Sequence, residues 1–115
     1  MKTGDQVIGI HFVGELETQL NAASKTCRLA ILYFYKARPC RFISPFYASL
    51  AWKYPRVVFL KVDIEEAEAE DVTDEWKIRR APYFFFLKNG KQVDKVIGID
   101  ADELETKVNL HSRLY

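Results

Sequence analysis

Apolar positions along this chain fall into short blocks with two different spacings. Val7-Ile8-Gly9-Ile10 is a brief apolar run that predicts a first strand. Val13, Leu16, Leu20 and Ala23 then recur at three- and four-residue intervals, one face of a helix, and the pattern closes near Ser24-Lys25-Thr26. Residues 29–35 are apolar throughout, as expected of a strand covered on both faces. Residues 41–54 predict a second helix with Ile43, Tyr47, Leu50, Ala51 and Tyr54 on one stripe. Pro45 predicts a kink in it, and Pro55 stops it.

Residues 57–62 form another buried run. Acidic residues dominate 63–75 and predict a solvated third helix ending near Trp76. Two strand-like runs, 83–87 and 91–99, flank Asn89-Gly90, the strongest short-range signal for a hairpin turn. Asp100 and Glu103 fit a capping pattern for a last helix running to about residue 114. The predicted order, βαβαβαββα, implies an α/β fold with a central mixed sheet flanked by helices on both faces.

Length and composition narrow the class. The 115 residues make one domain, spanning 1–115, and 49% of them are hydrophobic. No apolar stretch is long enough to cross a membrane, and Met1-Lys2-Thr3-Gly4-Asp5 lacks the pattern of an export signal. A net charge of +1 makes no case for nucleic acid. Cys27 and Cys40 are too few for a disulfide framework, so a reducing, cytoplasmic setting is expected. The abrupt start at the first strand is compatible with a domain excised from a larger protein.

Several pieces in order carry a resemblance: Phe34-Tyr35, Pro39-Cys40-Arg41, Ile43-Ser44-Pro45, Tyr54-Pro55, Val58-Phe59-Leu60-Lys61-Val62-Asp63, Ile78-Arg79, Ala81-Pro82 and Lys88-Asn89-Gly90. With them the chain resembles thioredoxin over nearly its whole length, which implies the thioredoxin fold. The opening Val7-Ile8-Gly9-Ile10-His11 and the strand from Arg28 to Phe34 look most similar to a plant group. That group is the thioredoxin domain of tetratricopeptide-repeat proteins that interact with the Hsp70-type chaperone.

The family's active-site motif is Trp-Cys-Gly-Pro-Cys. Its first thiolate attacks a substrate disulfide, and its second thiol resolves the mixed disulfide. Here the segment reads Phe34-Tyr35-Lys36-Ala37-Arg38-Pro39-Cys40-Arg41. By resemblance Cys40 takes the resolving position, the loop is two residues shorter, and Ala37 or Arg38 stands where the attacking cysteine belongs. The expectation is a redox-impaired domain with no catalytic residue, in which Cys40 is a remnant thiol. Cys27 is no substitute: residues 29–35, at about 3.3 Å each, put roughly 20 Å between the two thiols, whereas a disulfide needs Cα atoms within about 7 Å.

Cys40 itself has two readings. It is either an inert thiol packed near the start of the second helix, or a reactive one activated by the helix N-terminus, Arg38 and Arg41. An apolar site raises a thiol pKa and favours the first. Pro82 matches the family's cis-proline, whose preceding backbone pairs with bound peptide. Tyr83 follows where a small polar residue is usual, and Tyr33 replaces a buried aspartate that helps proton transfer.

The resemblance sets the loop before the second helix beside the loop before Pro82. Lys36, Arg38, Arg41, Arg79 and Arg80 would then form a basic patch suited to an acidic peptide or a phosphate-bearing group. Phe42 and Phe46 are candidate aromatic anchors beside it, with Trp52 also outside the core stripe. The expected binding surface is therefore Lys36, Arg38, Pro39, Cys40, Arg41, Phe42, Arg79, Arg80, Ala81, Pro82 and Tyr83. The acidic run lacks calcium-loop spacing, and His11 and His111 are isolated, so no metal and no cofactor is expected.

The favoured function is a non-catalytic domain that binds a protein partner through the former substrate face. Its parent polypeptide would be a repeat protein linked to Hsp70-type chaperone machinery, or a plant immune receptor in which this integrated domain baits a pathogen protein. The alternatives are a monothiol redox protein using Cys40 for mixed disulfides and a thiol-independent holdase.

Overall fold

A computed structural model describes residues 6–113. The first five residues, expected to carry no export signal, lie outside the described residues, as does residue 114, the expected end of the last helix. The elements are β1 (Val7–Gly9), α1 (Val13–Lys25), β2 (Ala30–Tyr35), α2 (Ile43–Lys53), β3 (Val58–Asp63), α3 (Glu70–Glu75), β4 (Tyr83–Lys88), β5 (Lys91–Ile97) and α4 (Ala101–His111).

The uninterrupted apolar run of β2 marks the middle of the sheet, whose strand order is β1-β3-β2-β4-β5. β3 pairs in parallel with both β1 and β2, while β4 runs antiparallel to β2 and to β5. Successive β2 side chains point to opposite faces and so feed two separate cores. Ile31 and Tyr33 join Ile43, Tyr47 and Leu50 of α2 with Leu104 and Val108 of α4. Leu32 and Phe34 join Leu16 and Ala23 of α1 with Val72 of α3. Burial of each large apolar side chain contributes about 1.5–3 kcal/mol, which is why a central strand with no polar position is stable only between two helical layers.

Local chemistry fixes the element ends. Asn89 and Gly90 both take positive φ, 53° and 79°, the conformation a tight hairpin turn requires. Asp100 Oδ1 accepts the backbone N–H of Glu103 at 3.0 Å and caps α4. The ammonium of Lys107 donates to the Lys95 carbonyl (2.9 Å), tying α4 to the outer strand β5. No helix among the described residues is long and apolar enough to cross a membrane.

Two expectations are corrected. The helix predicted over 41–54 begins at Ile43, so Pro45 stands in its first turn. N–H groups there have no intrahelical partner, and the physical cause of the expected kink is absent. The acidic stretch is not one solvated helix. Asp63 accepts the N–H of Glu65 (3.0 Å) in a turn, followed by a 3₁₀ turn at Ala67–Ala69 and the short α3. Ala69 and Val72 are fully buried in the second core, so this segment contributes to packing despite its charge.

Candidate functional site

The site lies where β2 leaves the sheet and β4 enters it. Phe34 pairs with Tyr83, so residues 36–42 and 79–82 emerge from adjacent strands at one end of the sheet. The connection after β2 is a compact turn. The N–H of Cys40 donates to the Lys36 carbonyl (3.2 Å), that of Arg41 to Arg38 (3.3 Å), and that of Ser44 to Cys40 (2.9 Å). This chain of turns delivers the backbone into α2 while turning the Cys40 side chain inward.

Cys40 is consequently 0% exposed, within the core built by Ile43, Tyr47 and Phe84. Next to it the Tyr33 hydroxyl meets Ser44 Oγ at 2.6 Å and joins the centre of the sheet to the first turn of α2. The Tyr33 ring stacks on Phe84 at 4.5 Å and tilts against Tyr47 at 4.7 Å. Burial pushes the ionisation of Tyr33 far above its ordinary range, with the neighbouring Cys40 adding in the same direction. Tyr33 therefore stays a neutral phenol at physiological pH and cannot serve as the proton acceptor that a carboxylate would provide here.

The second segment carries the cis peptide Ala81–Pro82. Pro82 is buried, and its carbonyl accepts the Gly98 N–H at 3.1 Å. Ala81 and Tyr83 are half-buried. Arg38, Arg41, Arg79 and Arg80 are exposed, with Lys36 half-buried at the base of the turn. Among the described residues, none of these five cations has a carboxylate within 4.0 Å. Arg41 instead lies over the Phe42 ring, 4.8 Å from its centroid, and Phe42 is 78% exposed. Phe46, expected to share the surface with Phe42, is half-buried against the first core.

Cys27 lies before β2, at the opposite end of that strand from Cys40; it is exposed and has a φ of 57°. It borders a cavity of about 210 Å³ that Arg28, Tyr54, Arg56, Lys88 and His111 also line. This concavity lies away from the Pro82 segment, and none of the five cations lines it.

Neither histidine is isolated as expected. His111 Nε2 meets Asp94 Oδ2 at 2.8 Å, and the same carboxylate holds Lys107 at 2.9 Å. His11 Nδ1 meets Glu66 Oε1 at 2.9 Å, with Glu68 close by. No sequence signal marks the second pair, because 55 residues separate His11 from Glu66 and only the β1–β3 pairing joins them.

The sequence profile described as Thioredoxin matches residues 14–110. The chain is 51% identical over 113 residues to a TPR repeat-containing thioredoxin TDX of rice (Oryza sativa subsp. japonica), covering 96% of this chain and 35% of that protein. It is 44% identical over 108 residues to Thioredoxin H1 of Arabidopsis thaliana, covering 92% and 93% of the two chains. In three dimensions it is similar to the crystal structure of thioredoxin NaTrxh from Nicotiana alata, with a TM-score of 0.85, 30% identity and 98% of each chain covered. The chain thus spans about a third of the length of its repeat-containing relative.

Proposed function

Because the chain belongs to the thioredoxin family, we propose that it keeps the family's substrate face for recognising a protein while lacking the thiol pair that reduces disulfides. The observation that carries this reading is the state of Cys40. It is the one thiol in the segment from Phe34 to Arg41, and it is 0% exposed. Disulfide exchange requires an accessible thiolate to attack and a second thiol to resolve. Cys27, the other cysteine, lies beyond the far end of β2. Burial of Cys40 also speaks against mixed disulfides formed on a single thiol.

The face itself supports binding. Lys36, Arg38, Arg41, Arg79 and Arg80 lack carboxylate partners among the described residues, and Phe42 presents an exposed ring beside them. Such a surface suits an acidic or phosphate-bearing peptide, with Pro39, Ala81 and Tyr83 beside the cations. Cys40 and Pro82, expected in the same surface, are buried beneath it and contribute as support alone. In this reading residues 1–115 are one domain of a longer cytoplasmic protein. The length of the rice relative supports that context, and its TPR repeats support a role within a protein assembly.

Incubation with thioredoxin reductase, NADPH and a protein disulfide is expected to give no turnover. Turnover abolished by Cys40→Ser would overturn the proposal. Arg38→Glu and Arg79→Glu are each expected to weaken binding of an acidic peptide by about two- to fivefold, the scale of an exposed charge pair. Unchanged affinity in both variants would remove the basic face from the proposal.

A further inference from the structure

His11, Glu66 and Glu68 belong to neither core and to no part of the partner face. The sheet register brings them together. Gly9 of β1 pairs with Lys61 of β3, and Ile10 donates to the Lys61 carbonyl at 2.8 Å, so the chain leaving β1 lies beside the turn that follows β3. That turn is pinned in two places: the N–H of Glu66 donates to the Asp63 carbonyl (3.1 Å), and that of Ala69 to the Glu66 carbonyl (3.0 Å).

We propose that His11, Glu66 and Glu68 form a surface site for a divalent transition-metal ion of the zinc class. The nitrogen and carboxylate ligand atoms of the three residues all lie within 4.8 Å of one another. Metal–ligand bonds of about 2.0–2.1 Å in a tetrahedral site place neighbouring ligand atoms about 3.3–3.4 Å apart. His11 Nδ1 and Glu66 Oε1, at 2.9 Å, are joined by a hydrogen bond that Nδ1–H donates. The metal takes the place of that proton, which is released to solvent, and the two atoms separate by about 0.4 Å. The exposed Glu68 completes the set by a side-chain rotation.

The donor set also selects the ion. One imidazole nitrogen with two carboxylates suits zinc or nickel, whereas magnesium and calcium favour oxygen ligands alone. Two carboxylates balance the two positive charges of the metal. Glu15 is held by the backbone N–H of His11 at 2.7 Å, so it adds negative potential without spending a ligand atom. The remaining coordination positions open to solvent, since His11 and Glu68 are exposed.

Zinc titration of the Cys27→Ser protein, followed by calorimetry and by NMR of the histidine ring protons, tests the site without interference from the exposed thiol. One zinc per chain is expected, with the His11 ring signals shifting and those of His111 unmoved. Affinity should fall about tenfold or more in His11→Ala and in Glu66→Gln, and magnesium should not compete. Both variants change surface side chains, and unchanged circular dichroism would establish that they fold. Absence of zinc binding, affinity within twofold in His11→Ala, or shifts centred on His111 or Cys40 would each overturn the proposal.

Discussion

The burial of Cys40 translates directly into a rate. Its side chain is 0% exposed, under a turn held by the Cys40-to-Lys36 and Ser44-to-Cys40 backbone hydrogen bonds, so a reagent reaches the sulfur only when residues 36–42 open. Such openings cost anywhere from almost nothing to the full stability of the domain. For a thiol beneath the first turn of a helix, about 4 kcal/mol is a reasonable scale, which corresponds to labelling slowed by about 10³-fold. Cys27 is exposed and should react like a free thiol. Iodoacetamide labelling followed by mass spectrometry, on the Cys27→Ser and Cys40→Ser proteins in parallel, measures the two rates separately. Both thiols should react equally in concentrated guanidinium. Labelling of native Cys40 within tenfold of Cys27 would refute the argument. Rapid labelling of Cys40 below pH 6 would further show an activated thiolate, and the monothiol reading would return.

Two stability predictions rest on buried or partly buried polar contacts. Asp94 is opposed by burial, but hydrogen bonds from His111, Lys107 and the backbone N–H of Lys95 outweigh that cost and hold its pKa to about 2. A carboxylate lowered on folding adds stability that is complete above its unfolded pKa, near 4, and is lost as pH falls through the folded value. Allowing for solvent screening, about 1–2 kcal/mol should disappear between pH 4 and 2, and Asp94→Asn should flatten that part of the pH profile in urea titrations. The Tyr47 hydroxyl reaches the carbonyls of Leu60 (2.9 Å) and Ile31 (3.1 Å) inside the first core, so Tyr47→Phe should cost about 1–1.5 kcal/mol by chemical denaturation. A change below about 0.3 kcal/mol would mean that this hydrogen bond contributes nothing net.

Features determined by adjacent residues were legible in the sequence. Asn89-Gly90 specifies its turn through two positive φ angles, Asp100 its cap through one hydrogen bond, and the unbroken apolar run of β2 its central place. Features determined by distant residues were not. The acidic composition of 63–75 predicts a solvated helix, yet Ala69 and Val72 within it are part of the second core. The start of α2 depends on the turn that buries Cys40, which has no local periodicity. Phe42 and Phe46 are one helical turn apart in sequence, but only Phe42 faces solvent, because Phe46 reaches the layer under α2. At the candidate site, the sequence indicated which segments carry charge. The register of Phe34 with Tyr83 brings those segments to one end of the sheet, and the absence of nearby carboxylates among the described residues leaves the charge unneutralised.

The order of the strands also governs how this chain behaves in a crowd of its own copies. A sheet with open sides is a template for neighbouring chains, and long flat apolar borders polymerise. One border here is β1, only three residues long, which offers too short a ladder to recruit a stranger. The other is β5, where Lys91 and Lys95 present charge and the Lys95 carbonyl is already engaged by Lys107 from α4. Removing Lys107 would therefore loosen a helix contact and also unmask a docking rail, so aggregation on heating is the trait on which that side chain would be most missed.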